Sequence, residues 1–325
     1  MTYTCSRRHI PSIIPAPNGR STQVKSRDVL LLLILSGIWG AAYLFIHVVV
    51  DEVGAFTVVA GRLVVAAIFL APLAARSGGI LPARGSRWPT LFLAVFYNVI
   101  PFSLITIAEK SIATGLAATL VATMPLFTMM TASAAGTERP SFESVVGLLV
   151  GFVGAVVVVG PDLGDLTSSN AAGDLIVVLA AASYGLSTVV ARQTARGSAM
   201  TLASGQTVFG AMIALPIALA VDGVPAHGIS VEAGLSWLAL GVLCSGVAFV
   251  LFYLILESAS ATQASIVSYI IPIFAALLGW AVLGESMGVN LVAGLALIVV
   301  GVAGVNGGLR PARERVLRVV RPART

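Results

Sequence analysis

The chain has 325 residues, of which 58% are hydrophobic and 10% are charged, and it carries a formal net charge of +5. Because a soluble domain carries about 25% charged residues, this composition excludes an ordinary water-soluble globular protein. A helix that crosses a bilayer needs about 20 mostly apolar residues, and many stretches of this chain meet that requirement. The sequence therefore predicts an all-α membrane protein. The two cysteines, Cys5 and Cys244, indicate neither a disulfide framework nor a metal site.

The chain begins with a polar and basic segment, residues 1–28, that we interpret as a cytoplasmic tail. Ten apolar runs follow and predict ten transmembrane helices, at 29–50, 55–75, 89–108, 113–135, 144–160, 173–191, 199–221, 234–256, 260–283 and 289–309. The first run is too long for the apolar region of a signal peptide and ends on Asp51 and Glu52, so we interpret it as a retained span. A second basic tail occupies residues 310–325.

The distribution of lysine and arginine predicts how the helices are oriented. If the N-terminus is cytoplasmic, seventeen of the nineteen Lys and Arg residues lie in the tails and the cytoplasmic loops. Of the other two, Lys110 lies outside and Arg62 lies within the second span. Because cytoplasmic loops carry the excess of positive charge, we expect a multi-pass protein of the cell (plasma) membrane with both termini in the cytoplasm.

The last apolar third of the chain repeats an earlier part of it. Residues 260–307 align without a gap on residues 113–160, which lie 147 positions earlier. The alignment pairs Pro272 with Pro125, Phe274 with Phe127, Glu285 with Glu138, and Gly294, Gly301 and Gly307 with Gly147, Gly154 and Gly160. We interpret this as a duplication of a five-helix repeat, with the first copy in 29–160 and the second in 161–309. Because five is an odd number, the second copy is predicted to be inverted.

The duplication points to a class of function. Inverted repeats are a recurrent plan of secondary transporters, in which the substrate binds near the middle of the membrane between the repeats. The sequence therefore predicts a secondary transporter that works by alternating access, and not an enzyme. Two alternatives stay open, namely an intramembrane enzyme and a non-transporting membrane sensor or assembly protein.

Several motifs within these spans resemble those of a known family. They are Ile38-Trp39-Gly40-Ala41-Ala42-Tyr43, Gly61-Arg62, Ile100-Pro101-Phe102, and the Pro-Leu-Phe and Pro-Ile-Phe runs that each precede a glutamate. Over residues 30–308 the chain resembles the EamA-type branch of the drug/metabolite transporter superfamily. The resemblance implies a ten-helix carrier with inverted repeats, often an exporter of amino acids or other small metabolites. Where that family often has a lysine in the first span, this chain has His47.

Aromatic and polar side chains inside the spans are the candidates for binding the substrate. Trp39, Tyr43 and His47 are four residues apart and share one face of a helix, where the two aromatic rings could stack on a solute. Packing against neighbouring helices is an equal alternative for both rings. Polar side chains in a bilayer must find partners or line a wet cavity, which adds candidates from four further spans: Tyr97, Asn98, Tyr184, Gln206 and Tyr269.

Other residues are candidates for coupling, gating or bending. The coupling and gating candidates are His47, Arg62, Glu138 and Glu285. Arg62 could snorkel to the outer interface, pair with Asp51 or bind an anion. A proline inside a helix removes a backbone hydrogen bond, so the duplicated Pro125 and Pro272 are predicted to be conformational kinks, with a static bend as the alternative.

The remaining charges and the partners complete the prediction. We interpret Glu109, Lys110 and Glu257 as charges of the loops, with proton coupling as the less favoured alternative. No nucleotide-binding, hydrolase or zinc-protease motif occurs in the sequence, so no cofactor and no metal are expected. The expected partners are a small-molecule substrate and, at the basic tails, anionic lipids. No nucleic acid is expected to bind, and a homodimer is left open.

Overall fold

The computed structural model describes residues 26–112, 114–159, 171–224, 228–283 and 289–305. Within these ranges the chain forms helices joined by short connections, with no β-strand among them. We number ten helical elements in chain order: α1 (Ser26–Val50), α2 (Ala55–Arg76), α3 (Arg84–Ala108), α4 (Leu116–Ala134), α5 (Phe142–Val159), α6 (Ala171–Thr194), α7 (Ala199–Val221), α8 (Val231–Ser258), α9 (Ala261–Val282) and α10 (Val289–Val305). Glu285 and most of both basic tails lie outside the described residues.

Eight of these elements are long and apolar enough to cross a membrane. The apolar parts of α5 and α10, Phe142–Val157 and Val292–Val305, are shorter. Because no water reaches the backbone in a bilayer, each apolar run must satisfy its own N–H and C=O groups, and a helix does so. The prediction of an all-α, multi-pass membrane protein is confirmed.

The helices pack in pairs that follow the duplication. α2 packs along α7, and α5 packs along α10, so both pairs join elements at the same place in the two copies. In the first copy α1 packs against α8 and α9, and in the second copy α6 packs against α3 and α4. Each copy therefore contacts the other through the same elements, and the two copies interlock.

Glycines at duplicated positions allow two of these helix pairs to approach closely. A Cβ atom on Gly40 of α1 would lie 2.7 Å from the Cβ of Phe274 on α9. A Cβ atom on Gly185 of α6 would likewise lie 2.7 Å from the Cβ of Phe127 on α4. Small residues let helix backbones touch inside membranes. The same close contact is thus made once by each copy.

Two helices contain a π-helical segment at matching places. The segment in α3 spans Ala94–Val99, and the segment in α8 spans Val242–Val247. The second segment begins 148 positions after the first. Such segments often occur at functional sites, because they interrupt the regular hydrogen-bond ladder and re-aim side chains. The first segment carries Tyr97 and Asn98, and the second carries Ser245.

Both duplicated prolines lie in an interrupted helix. One follows the interruption directly, and the other lies in the middle of a helical segment. α4 is interrupted at residues 122–123, and Pro125 lies in the first turn of the segment that follows. α9 is interrupted at Ile266, and Pro272 lies inside the continuous helix Val267–Leu278. Proline fits the first turn of a helix, where its missing N–H has no partner to lose. Of these two prolines, Pro272 alone therefore removes a hydrogen bond from the middle of a helical segment.

Candidate functional site

A cavity lies at the centre of the bundle, between α1, α2, α3, α4, α6 and α9. Its volume is about 60 Å³, which is room for a few water molecules or a small solute, since one buried water needs about 10–15 Å³. Both copies of the repeat contribute to its mainly apolar wall. It is lined by Trp39, Ala42, Tyr43, Ile46, Arg62, Tyr97, Phe102, Ile105, Val121, Met124, Tyr184, Val267, Ser268 and Ile271.

One face of α1 brings two of the predicted aromatic residues to the cavity. Trp39 and Tyr43 both line it. The indole Nε1 of Trp39 donates a hydrogen bond of 3.2 Å to the backbone carbonyl of Cys244, and its ring lies 5.9 Å from the ring of Phe252. These contacts fix the orientation of the indole. His47, one turn further along the same helix, is exposed and does not line the cavity.

Two tyrosines form a second aromatic part of the wall. The ring centroids of Tyr97 on α3 and Tyr184 on α6 are 5.1 Å apart. Tyr97 also lies 5.7 Å from Phe249 and 5.1 Å from Phe252. Aromatic pairs at such distances contribute about 0.5–1.5 kcal/mol each beyond their burial, so these contacts stabilise the positions of the rings. Tyr184 occupies the place in the second copy that Trp39 occupies in the first, and both rings reach the cavity.

Arg62 is the charged residue of the cavity wall. It is 3% exposed, its Nε donates a hydrogen bond of 2.9 Å to the hydroxyl of Ser245, and its guanidinium carbon lies 4.0 Å above the centre of the Phe102 ring. It neither reaches the surface nor pairs with Asp51, and no carboxylate among the described residues hydrogen-bonds to it. A guanidinium keeps its charge and has five N–H donors. This side chain can therefore bind an anionic group that enters the cavity.

Gln206 occupies the place in the second copy that Arg62 occupies in the first. Gly61-Arg62 and Gly205-Gln206 each stand ahead of a proline at the same distance, Pro72 in α2 and Pro216 in α7. Both side chains reach across to a π-helical segment, because Arg62 bonds to Ser245 of α8 and Gln206 bonds to Asn98 of α3. The duplicated contact carries a charge in one copy and an amide in the other.

Asn98 and Gln206, both predicted from the sequence, lie outside the cavity lining. The Nε2 of Gln206 donates to the Oδ1 of Asn98 over 2.6 Å, and the hydroxyl of Tyr253 donates to the Oε1 of Gln206. All three side chains are buried. They form a polar cluster that joins α3, α7 and α8, a role that explains why amides are present in the bilayer.

Tyr269 also lies outside the cavity lining. Its hydroxyl donates a hydrogen bond of 2.7 Å to the backbone carbonyl of Leu148 on α5, and its ring fills the space beside Gly151. Tyr269 is fully buried in the apolar cluster between α5, α9 and α10. Its contacts in this structure are those of a packing residue.

Polar contacts converge on the connection between α8 and α9, at the end of the bundle where α1 begins. Asp28 accepts a hydrogen bond of 2.9 Å from the hydroxyl of Ser258, and Nε of Arg192 donates over 3.0 Å to the carbonyl of Ala259. Glu138, predicted as a gating residue, accepts a bond of 3.3 Å from the backbone N–H of Thr262. Its duplicate, Glu285, is outside the described residues.

A second set of contacts joins the α1–α2 connection to the α7–α8 connection. The hydroxyl and the backbone N–H of Ser230 both donate to the carboxylate of Glu52, the latter over 2.7 Å. These two bonds stabilise the ionised acid and lower the pKa of Glu52. In the same region the backbone N–H and the hydroxyl of Thr57 donate to Asp222 over 2.7 and 2.9 Å. The sequence held no signal for either pair, because the partners are far apart in the chain.

From the sequence, Glu109 is interpreted as a charge of a loop, but its carboxyl group is buried in the structure. It directly follows α3, yet both of its carboxyl oxygens are buried, and neither has a hydrogen-bond partner among the described residues. Lys110 and Glu257 are exposed, as expected. Within the described ranges no group of three or more His, Cys, Asp or Glu side chains could hold a metal ion.

Both copies of the repeat match known proteins. The model of the EamA-like transporter family matches the chain twice, over residues 27–160 and 171–307. The chain is 26% identical over 303 residues to the uncharacterized inner membrane transporter YedA of Escherichia coli (strain K12), covering 90% of this chain and 95% of that protein. It is 26% identical over 200 residues to the uncharacterized transporter YoaV of Bacillus subtilis (strain 168), covering 61% of this chain and 68% of that protein.

Two further matches are a plant protein and a solved structure. The chain is 24% identical over 277 residues to a chloroplastic WAT1-related protein of Arabidopsis thaliana, covering 82% of this chain and 66% of that protein. A solved crystal structure superposes with a TM-score of 0.73 at 19% identity, covering 89% of this chain and 99% of that one, a likeness that concerns the fold alone. The family and the names of these relatives indicate a membrane transporter and not an enzyme. Since the family model matches both copies of the repeat and most of the length of this chain, the chain belongs to the EamA-like transporter family.

Proposed function

We propose that the protein is a secondary transporter that exports small carboxylate-bearing metabolites, amino acids or related compounds, by alternating access. The observation that carries this proposal is Arg62, a buried guanidinium that lines the central cavity and hydrogen-bonds to no carboxylate among the described residues. Burying a charge without a counter-charge is costly. A substrate carboxylate would supply that counter-charge.

The rest of the wall fits the remainder of such a substrate. Trp39, Tyr43, Tyr97 and Tyr184 offer ring faces on which an apolar or aromatic side chain can stack. The cavity is small, and a single guanidinium suits one carboxylate better than a phosphorylated sugar or a nucleotide. The expected substrate is therefore a compact solute with one carboxylate and an apolar part.

The architecture supports alternating access. The two copies make the same helix contacts twice, as two inverted five-helix repeats of a ten-helix carrier would. Inverted repeats can exchange roles, so that the cavity opens first to one side and then to the other. With both termini in the cytoplasm, the contacts of Asp28, Glu138 and Arg192 would close the cytoplasmic side. Those of Glu52 and Asp222 would close the outer side.

The test is transport by the protein reconstituted in liposomes, with a panel of labelled amino acids and the matching decarboxylated amines. We expect at least one amino acid to be transported while its amine is not. Replacing Arg62→Gln installs the side chain of the duplicated position and removes the charge. It should lower transport by about 10- to 150-fold, because a hydrogen bond to a charged group contributes about 1.5–3 kcal/mol.

The matched control is Arg196→Gln, which removes an exposed arginine and should leave transport unchanged. Equal transport of an amino acid and its amine would contradict the proposal. So would full activity of the Arg62→Gln protein at normal abundance in the membrane.

A further inference from the structure

We propose that Glu109 is a proton-binding site of this carrier, and that it holds its proton when an anion occupies Arg62. The second half of this inference rests on the proposed function, whereas the first half concerns the protein alone. The ligand is a proton: the ionised carboxylate gains one O–H bond as a hydronium ion loses one and becomes water.

The position of Glu109 places it at one end of the cavity. Phe102 and Ile105 line the cavity, and Glu109 follows them by seven and four residues. Residues at such spacings lie on one face of a helix. The side chain of Glu109 therefore continues the cavity-lining face of α3 by one further turn. Its carboxyl group interacts electrostatically with Arg62 on α2 and with Tyr43 on α1, both of which line the cavity.

The surroundings of the carboxyl group favour its neutral form. Both oxygens are buried and have no hydrogen-bond partner among the described residues. An ionised carboxylate in that position loses its hydration without compensation. Burial accordingly raises the pKa of Glu109, which lies just beyond the last residue of α3, and the positive charge of Arg62 offsets this only in part. The part of α3 that ends beside Glu109 packs against α6, which carries Asp174 and Tyr184, and against α2, which carries Arg62; Lys110 follows Glu109 in the same connection.

The duplicated position provides a comparison within the same chain. The two π-helical segments are 148 positions apart, and the same shift pairs Glu109 with Glu257. Glu257 is exposed at the end of α8, where water can solvate its charge. The same residue type in the same place of the repeat is therefore buried in one copy and solvated in the other.

Arg62 couples the proton to the substrate. When no anion is bound, the guanidinium attracts negative charge, and an ionised Glu109 would balance it. When a carboxylate binds to Arg62, that attraction is neutralised and Glu109 retains its proton. Coupling between two sites is reciprocal, so acidification should strengthen anion binding. At a pH high enough to ionise Glu109 in the empty protein, anion binding should be accompanied by the uptake of a proton.

The experiment labels the purified, full-length protein with dicyclohexylcarbodiimide, which reacts with protonated carboxyl groups in apolar surroundings. Labelling is followed by mass spectrometry at a series of pH values, without any substrate. We expect Glu109 to be labelled at pH values at which Glu257 remains unlabelled. In Arg62→Gln the midpoint of Glu109 labelling should move up by about one pH unit, a tenfold gain in proton affinity. In Arg196→Gln it should stay in place.

The results separate this inference from the proposed function. If Glu109 of the wild-type protein is unlabelled, or is labelled no more than Glu257, it is no proton-binding site. If Glu109 is labelled but Arg62→Gln leaves its midpoint unchanged, the coupling to Arg62 is wrong. Because labelling requires no substrate, a negative transport panel with positive labelling would overturn the proposed function and not the proton site.

Discussion

The contact between α5 and α10 allows one prediction to be worked out from distances. A Cβ atom on Gly301 of α10 would lie 2.5 Å from the backbone N of Gly151, and 2.6 Å from both its Cα and the carbonyl oxygen of Gly147. Optimal separations between carbon atoms are about 3.5–4.0 Å. Replacing Gly301→Ala must therefore push the two helices apart by about 1 Å, because backbone atoms cannot rotate away as a side chain can.

We expect Gly301→Ala to destabilise the protein by about 2–3 kcal/mol, the upper part of the range for overpacking. The measurement is the free energy of unfolding in detergent micelles. The control is Gly234→Ala in α8, where the nearest atom to the new methyl group would be Cδ1 of Ile229 at 3.7 Å. This change should be neutral or stabilise by about 0.5–1 kcal/mol, through the lower flexibility of alanine. Equal stability of the two variants would show that α5 and α10 are not in this contact.

Two further predictions concern the polar contacts. Gln206→Leu leaves its two buried partners unsatisfied and should cost about 1–3 kcal/mol of stability, whereas Thr207→Val should cost less, because that hydroxyl bonds only to carbonyls of its own helix. The Glu52–Ser230 contact should be pH-dependent. Because the folded pKa of Glu52 is lowered, its contribution is present above the ordinary carboxyl pKa and is lost as the pH falls through the lowered value. Relative to its intrinsic rate at each pH, hydrogen exchange at the Ser230 amide should then accelerate in the wild-type protein. In a Glu52→Gln variant this relative rate should not show the step. A step of equal size in both proteins would count against the assignment to Glu52.

The spans could be predicted from the sequence, but the direction of each side chain could not. An apolar run of about 20 residues has few ways to satisfy its backbone in a bilayer other than a helix, so composition was enough to predict the helices. Helices in lipid associate through small residues and close packing. The surface of each helix is similarly apolar on all sides, so hydrophobicity does not show which side chains face the cavity. Trp39 and Tyr269 are alike as aromatic residues within a span, yet one lines the cavity and the other packs against α5.

The same limit applies to the polar residues. A buried amide needs hydrogen bonds, and a second amide satisfies it as well as a solute does. The sequence could therefore predict that Asn98 and Gln206 have partners, but not that they are each other's partner. For Arg62 the sequence could not distinguish a snorkelling side chain from a buried one, because the α8 segment that carries Ser245 is 183 positions away in the chain.

The duplication separates what the two copies share from what only one of them has. Both copies have the glycine contacts, the π-helical segments and the paired packing of helices. The chemistry is unequal. Arg62 faces the cavity with a charge to which no carboxylate among the described residues hydrogen-bonds, whereas Gln206 is bonded to Asn98 and Tyr253. A second arginine at the position of Gln206 would place an additional buried charge in the bundle, at a cost of several kcal/mol, and would leave the hydroxyl of Tyr253 without the Oε1 acceptor that Gln206 provides. A single charge in one copy would thus suffice for the proposed binding of one carboxylate, while the amide in the other copy keeps the same helix contact neutral.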